Sequence, residues 1–351
     1  MTRPLISLAA LLALAAPSFA QEAAPAPPSP AEIVDQAPAD EWVVIPPEDL
    51  LVMTLAPAAD GSERKVVIQL MPVPFSQDWV ANIRTFARAG WFDDITVNRV
   101  QDNYVAQWGD ANYDNPESTG EAKPLPDGLI ATDERNYTAP GEAIGLSTLL
   151  ADSTRDLALK TGHVLSTSDE TAGVIIANGL IDSYAQLSLF DRGWPLASNI
   201  GADDESEPAA VWPIHCYGMV GVGRNMSPDA GTGAELYTVI GHAPRHLDRN
   251  IALVGRIVEG MEHLSSLPRG SGALGFYTAE ESGKRTPILS VRVASDLPAS
   301  EQPAFEYLST KGETFARYVE ARANRRDPFF IAPAGGADIC NIPVPARRAA
   351  Q

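Results

Sequence analysis

Only two cysteines, five histidines and 26 basic residues occur in this 351-residue chain, against 45 acidic ones. A formal net charge of -19 leaves no Lys/Arg footprint for nucleic acid or an anionic lipid surface. The histidines (His163, His215, His242, His246, His263) form no His-Glu-x-x-His motif, and there is no Gly-x-Ser-x-Gly elbow, so metalloprotease and α/β-hydrolase chemistry have no support. His242 and His246 would share a face of a helix, but Pro244 between them argues for a loop. Asp110, Asn112, Asp114 and Glu121 match four positions of a calcium-loop pattern. The glycine that its sharp turn requires is replaced by Asn115, followed by Pro116, and a plain acidic loop is expected. Cys216 and Cys340 are expected either to pair in an oxidising compartment, tying the tail to the core, or to remain two separate buried thiols; sequence leaves both open. After the first apolar run no stretch is long enough to cross a bilayer.

That first run is an expected export signal, residues 1–20. Arg3 supplies the charge, Leu5–Ala16 the short apolar segment and Ser18-Phe19-Ala20 the small residues for cleavage. No Cys follows for lipid attachment, so the expectation is a soluble protein of the periplasm or medium starting near Gln21, the alternative being an inner-membrane anchor. Residues 21–49, rich in Ala and Pro, read as an extended linker.

Globular pattern begins near Leu50. Val66–Leu70 is a strand candidate, and Ser76–Gly90 the clearest helix, with Ser76 as N-cap, apolar Trp79, Val80, Ile83, Phe86 and Ala87 on one face, and Gly90 at the C-terminal end. Ile95–Val100 and Tyr104–Trp108 flank Gln101-Asp102-Asn103 as a hairpin. Residues 111–206 read as long excursions between core elements rather than a domain with its own sheet, with helix patches at 143–159 and 173–189. Strands are expected again at Ile214–Val222, Leu236–Ile240, Ile251–Val258 and Pro287–Val293. Many short strands around one clear helix indicate a mainly β barrel or sandwich with helical caps. In the 298–351 extension, Phe305, Leu308, Phe315, Tyr318 and Val319 are expected along one helix face.

In order, several of these pieces resemble the cyclophilin family. Val80-Ala81-Asn82-Ile83 is similar to its helix core and Trp91-Phe92-Asp93-Asp94 to the turn after it. Asn98-Arg99-Val100 falls at the family's His-Arg-Val and Gln107-Trp108-Gly109-Asp110 at its Gln-Gly-Gly-Asp. Val222-Gly223-Arg224 with the Asn225–Asp229 loop, Ala234-Glu235-Leu236-Tyr237, His246-Leu247-Asp248 and Val254–Met261 resemble later motifs in the same order. The resemblance covers about residues 62–110 and 214–295 and implies a single cyclophilin-like domain, residues 50–297, interrupted by the insertion.

What the resemblance implies is a closed eight-stranded antiparallel barrel with a helix over each mouth, binding proline-containing segments of unfolded or envelope proteins on its outer face. The implied reaction is prolyl cis/trans isomerisation, which breaks no bond and calls for no cofactor. Arg99 is the implied donor to the twisted amide and Gln107 its partner on the peptide backbone. Tyr104, Val105, Gly223, Arg224, Glu235, Tyr237, His246 and Leu247 are the implied substrate-binding positions, with Ile251 where the family has His. Asn98, Val105, Glu235 and His246 depart from the family's His, Met, Gln and Trp, giving a roomier and more acidic groove. The alternative reading is a peptide-binding or chaperone module with this barrel and little turnover.

Overall fold

The computed structural model describes residues 26–113, 115–147, 182–199 and 209–349. The expected export signal, most of the two helix patches, His163 and Asp114 lie outside the described residues. In chain order the strands are β1 (Trp42–Ile45), β2 (Leu50–Leu55), β3 (Arg64–Leu70), β4 (Thr96–Val100), β5 (Val105–Gly109), β6 (Ala139–Pro140), β7 (Leu187–Asp191), β8 (Trp194–Ser198), β9 (Ala210–Pro213), β10 (Met219–Val222), β11 (Leu236–Val239), β12 (Leu253–Glu259), β13 (Thr286–Val293), β14 (Phe305–Leu308) and β15 (Ala346–Arg348). The order β10-β11-β5-β4-β13-β2-β3-β12 closes into a barrel, every neighbouring pair antiparallel. The eight-stranded antiparallel barrel implied by the resemblance is therefore present. Closure leaves its strands without a free edge.

Alternation along the strands fills it. Leu51, Met53, Leu55, Val66, Ile68, Leu70, Val97, Trp108, Leu236 and Val291 enter the main core. Helix α2 (Gln77–Arg88) adds Trp79, Val80, Ile83, Phe86 and Ala87 to it, the stripe its sequence prescribes. Ser76 holds the cap position in a left-handed conformation (φ 53) and its hydroxyl makes no cap; Gln77 Nε2 instead donates to the carbonyls of Met71 and Phe75. Gly90, also left-handed (φ 62), ends the helix as expected.

Four expectations need correction. The 21–49 linker is ordered from Pro30: α1 (Pro30–Asp35) opens on a Ser29/Glu32 capping box with Pro at its first position, and β1 follows. Composition concealed this because the apolar partners of Ile33 and Trp42 are Leu308, Phe315, Tyr318, Val319 and Ile342, from the other end of the chain. The tail itself is not one helix: Phe305 and Leu308 belong to β14, paired with β1 and β15, and only Phe315, Tyr318 and Val319 lie on helix Glu313–Ala323. Finally, the insertion does carry a sheet, β6-β9-β8-β7, and its Leu187–Leu189 is strand rather than helix. Leu187, Leu189, Trp194, Leu196, Val211 and Trp212 join the barrel's own core, so the sheet has no separate interior. The expected strand Ile214–Val222 is strand only from Met219 (β10), residues 214–218 forming the turn that follows β9.

That turn is tied down. Cys216 and Cys340 form a disulfide (Cα–Cα 5.1 Å) that closes a loop with a sequence separation of 124. Asn82, buried on α2, does the same for the insertion's first limb, donating to the Ile130 and Thr232 carbonyls and accepting from the Ile130 amide at 2.7 Å. A loop of this size predicts that replacing both cysteines by serine lowers stability by about 2–5 kcal/mol, measured by urea unfolding of the oxidised protein against the double variant.

Candidate active site

A β-bulge decides where the key arginine points. Along β4 the pairing with β5 runs Val97↔Trp108 and then Arg99↔Gln107, Asn98 being the extra residue. Opposed residues share a face. Val97 and Trp108 fill the barrel, while the bulge turns Arg99 onto the outer face beside Gln107. Asn98, almost fully buried, is satisfied locally: its Nδ2 donates to the Gly109 carbonyl at 2.8 Å and its Oδ1 accepts from Thr96 Oγ1. The hairpin turn then places Asn103 in a left-handed conformation (φ 50), as Asn tolerates.

The guanidinium of Arg99 is fixed by three oxygens. Nε donates to the Leu274 carbonyl (2.7 Å), Nη1 to Gln107 Oε1 (3.1 Å) and Nη2 to Gln101 Oε1. The rings of Tyr104 and Phe276 lie with centroids 5.5 Å from its Cζ. Burial lowers the Arg99 pKa, the neighbouring Tyr104 and Tyr237 opposing the shift, and the group remains a cation at any physiological pH. Three of its five N–H groups are used among the described residues, leaving one on each terminal nitrogen.

Next to it the outer face becomes apolar. Register pairs Gln107 with Tyr237, and Tyr237, Val105 and Val239 form a cluster against which Tyr104, Leu247 and Ile251 pack. Five positions named from sequence for the proline pocket, counting Ile251, are thus brought together by two strands, β5 and β11, the hairpin turn before β5 and the segment 247–251. Glu235 and Gly223 border Gln107: Gln107 Nε2 donates to Glu235 Oε2 at 3.4 Å, and the Gly223 amide to the Glu235 carbonyl at 2.8 Å. His246 is exposed and stacks on Tyr104, ring centroids 6.2 Å apart. The guanidinium of Arg224 donates to the Asn250 and Asn225 carbonyls, holding two loops together.

Asp110 and Asn112, drawn from the calcium-loop pattern, accept backbone N–H groups instead: Lys123 and Asn112 on Asp110, Thr119 and Gly120 on Asn112. A cavity of about 530 Å³ lies between β2, β3, β13 and the tail, and neither Arg99 nor any other candidate site residue lines it. Its cations are paired, Lys65 with Glu63, Arg292 with Asp93 and Arg348 with Glu259.

Two further contributors have little or no signal in the local sequence. The loop before β13 supplies Leu274 and Phe276 to Arg99, and its local signal is the glycine-rich run 270–275: a Cβ on Gly275 (φ 82) would lie 2.8 Å from Gln101 Cα. His215, buried within the turn after β9, hydrogen-bonds the Tyr237 hydroxyl at 3.0 Å. Nothing local marked it, because its partners are distant in sequence.

The profile of the family described as "Cyclophilin type peptidyl-prolyl cis-trans isomerase/CLD" matches residues 64–293. Among solved structures, the chain is similar to cyclophilin AquaCyp293 from Hirschia baltica, at 21% identity and a TM-score of 0.57, over 87% of this chain and 92% of that one. At that identity the likeness is one of fold. A cyclophilin type peptidyl-prolyl cis-trans isomerase from Cryptosporidium parvum, crystallised in the presence of the dipeptide Ala-Pro, aligns at 8% identity over 69% of this chain and 96% of its own, with a TM-score of only 0.33. No curated protein sequence matches.

Gly109 is where the hairpin tolerates least. A Cβ there would overlap the Glu235 carboxylate, which would have to leave Gln107. Gly109→Ala is expected to cost about 1–3 kcal/mol, the range for overpacking, and to weaken binding of a proline-containing peptide; thermal unfolding and titration calorimetry on the variant measure both.

Proposed function

This chain belongs to the cyclophilin-type peptidyl-prolyl cis-trans isomerase family, and we propose that it is an active member, isomerising X-Pro bonds in exported proteins. The observation that carries the reading is Arg99, held by three oxygens on the outer face of β4, beside Gln107 and against the Tyr104–Val105–Tyr237–Leu247–Ile251 surface.

The barrier to rotation is amide resonance, about 18–20 kcal/mol. As the bond twists, the prolyl nitrogen regains its lone pair and becomes a hydrogen-bond acceptor, which it is not in the planar ground state. A cationic N–H fixed next to it favours only the twisted form, which is the condition for catalysis. In this reading the pyrrolidine ring rests on the apolar cluster, a spare N–H of Arg99 meets the prolyl nitrogen, and Gln107 holds the peptide backbone. Leu274, Gln101 and Gln107 fix the guanidinium before substrate arrives, so no reorganisation is needed during the twist. No nucleophile, metal or acid–base pair enters the reaction.

Two features support export. The Cys216–Cys340 disulfide suits an oxidising compartment, and residues 1–20 have the composition of a signal. Clients would then be envelope or secreted chains carrying proline. Val105 in place of a longer side chain, and Glu235 beside Gln107, favour as second reading a module that grips such segments with little turnover.

A protease-coupled isomerisation assay separates the two. Wild-type protein is expected to accelerate cis-to-trans conversion of an Ala-Pro peptide, and Arg99→Ala to lose on the order of 10²-fold in kcat/KM, the usual cost of one fixed donor. Equal background rates for both proteins, with peptide still bound, would leave the binding module.

A further inference from the structure

Behind the pocket runs a buried polar chain that the isomerisation scheme does not use. The Tyr237 hydroxyl meets His215 Nε2 at 3.0 Å, and His215 Nδ1 meets Asp248 Oδ1 at 3.0 Å. The same carboxylate oxygen accepts the His215 backbone N–H, also at 3.0 Å. Arg245 Nε donates to Asp248 Oδ2 at 2.6 Å, and its terminal nitrogens grip Asp182 at 3.0 and 2.7 Å. Ser188 Oγ and the Tyr184 amide also donate to Asp182. The Arg245 and Asp182 side chains are 2% and 3% exposed, and His215 and Asp248 are buried as well.

Three features make this chain more than packing. First, it has a direction. A carboxylate against Nδ1 takes that nitrogen's proton as donor, so in the neutral ring Nε2 is the acceptor and the tyrosine O–H donates to it. The ring of Tyr237 is thereby drawn across β10, over Gly221, where a Cβ would overlap its hydroxyl. Second, the chain holds two sides of the same pocket. Arg245 opens the turn Arg245–Leu247, so the arginine that anchors Asp248 also places Leu247 beside Tyr237. Third, it crosses between parts of the fold: Tyr237 belongs to the barrel, Asp182 and Ser188 to the insertion. His215 sits next to Cys216, whose disulfide fixes the turn from the other side.

One guanidinium serves two carboxylates here. For Asp182 the hydrogen bonds from Arg245, Tyr184 and Ser188 outweigh burial and hold its pKa below the ordinary value. For Tyr237 burial drives the pKa well above its ordinary value, keeping the O–H as a donor. A buried chain so fully satisfied has one low-energy arrangement, and breaking any link leaves its neighbours unpaired.

We propose that Asp182, Arg245, Asp248 and His215 are positioning residues for the prolyl site, fixing the Tyr237 ring through its hydroxyl, so that the insertion sets the shape of the pocket. The proposal rests on the reading of that face as the prolyl site. None of the four touches substrate; each acts through Tyr237.

A double-mutant cycle tests it. Tyr237→Phe, which keeps the ring and cuts the link, is expected to lower kcat/KM for an Ala-Pro peptide about tenfold, the value of one buried hydrogen bond. Asp182→Asn and His215→Gln are each expected to lower it in the wild-type background, yet by less than about twofold once Tyr237→Phe is present. Losses that multiply in the double variants, or a Tyr237→Phe protein at the wild-type value, would overturn the proposal and reduce the chain to structural support. A separate readout needs no turnover: in wild type the Tyr237 hydroxyl proton is expected as a slowly exchanging NMR resonance, lost in His215→Gln. Its absence from wild type would sink the network itself, whereas its presence in a protein without isomerase activity would sink only the function proposed above.

Discussion

One extra residue in β4 is the constraint on which the site depends. Strand side chains alternate strictly, so a regular β4 that buried Val97 would also bury Arg99, placing an uncompensated cation in the barrel. The bulge at Asn98 breaks the alternation once, and afterwards Arg99 stands outside with Gln107. Its cost is a polar side chain inside the sheet, and this is offset because Asn98 finds the Gly109 carbonyl and Thr96. A closed barrel is suited to such a device. On its far side β5 pairs with β11 in unbroken register, so the irregularity does not spread that way, whereas β13 carries a shift of its own against β2 between Ile288 and Ser290.

Around that point the rest of the molecule acts as support. The glycine-rich loop before β13 brings a carbonyl to Arg99 Nε and a ring to its face. The insertion leans on the barrel through a common apolar core, and through Asp182 it joins the polar chain behind Tyr237. The two ends of the chain form a small sheet and core of their own against the outer side of β2. This explains why β2 is apolar on both faces: Leu51, Met53 and Leu55 face the barrel interior, while Leu50 and Val52 meet Ile45 and Phe305.

Where expectation and structure part, the cause is the same each time. Helix α1, with its Ser29/Glu32 capping box, stands in an Ala/Pro-rich stretch, and so short a helix needs a partner surface, which here comes from Leu308, Phe315, Tyr318, Val319 and Ile342 far along the chain. Phe305 and Leu308 have helical spacing with Phe315, yet β1 offers them a strand edge, and pairing won over periodicity. Ile214–Val222 is apolar enough for a single strand, but the disulfide turn at Cys216 takes its first half and leaves Met219–Val222 as strand. The hairpin, by contrast, was legible in detail, because its turn residues, its alternation and its partner all lie within sixteen or so positions of one another, a range over which local rules are strong.

Local sequence encodes the acidic character, the main helix, most barrel strands and, through an ordered set of motifs, the family and the candidate residues. These are properties of short segments, and each is written in adjacent residues. Tertiary structure alone decided that Cys216 meets Cys340, that Arg224 is taken up by carbonyls, and that Asp182, Arg245, Asp248, His215 and Tyr237 form one chain. Those contacts join segments far apart along the chain, and a buried polar group takes whichever partner the closed fold brings within about 3 Å, which no local pattern encodes.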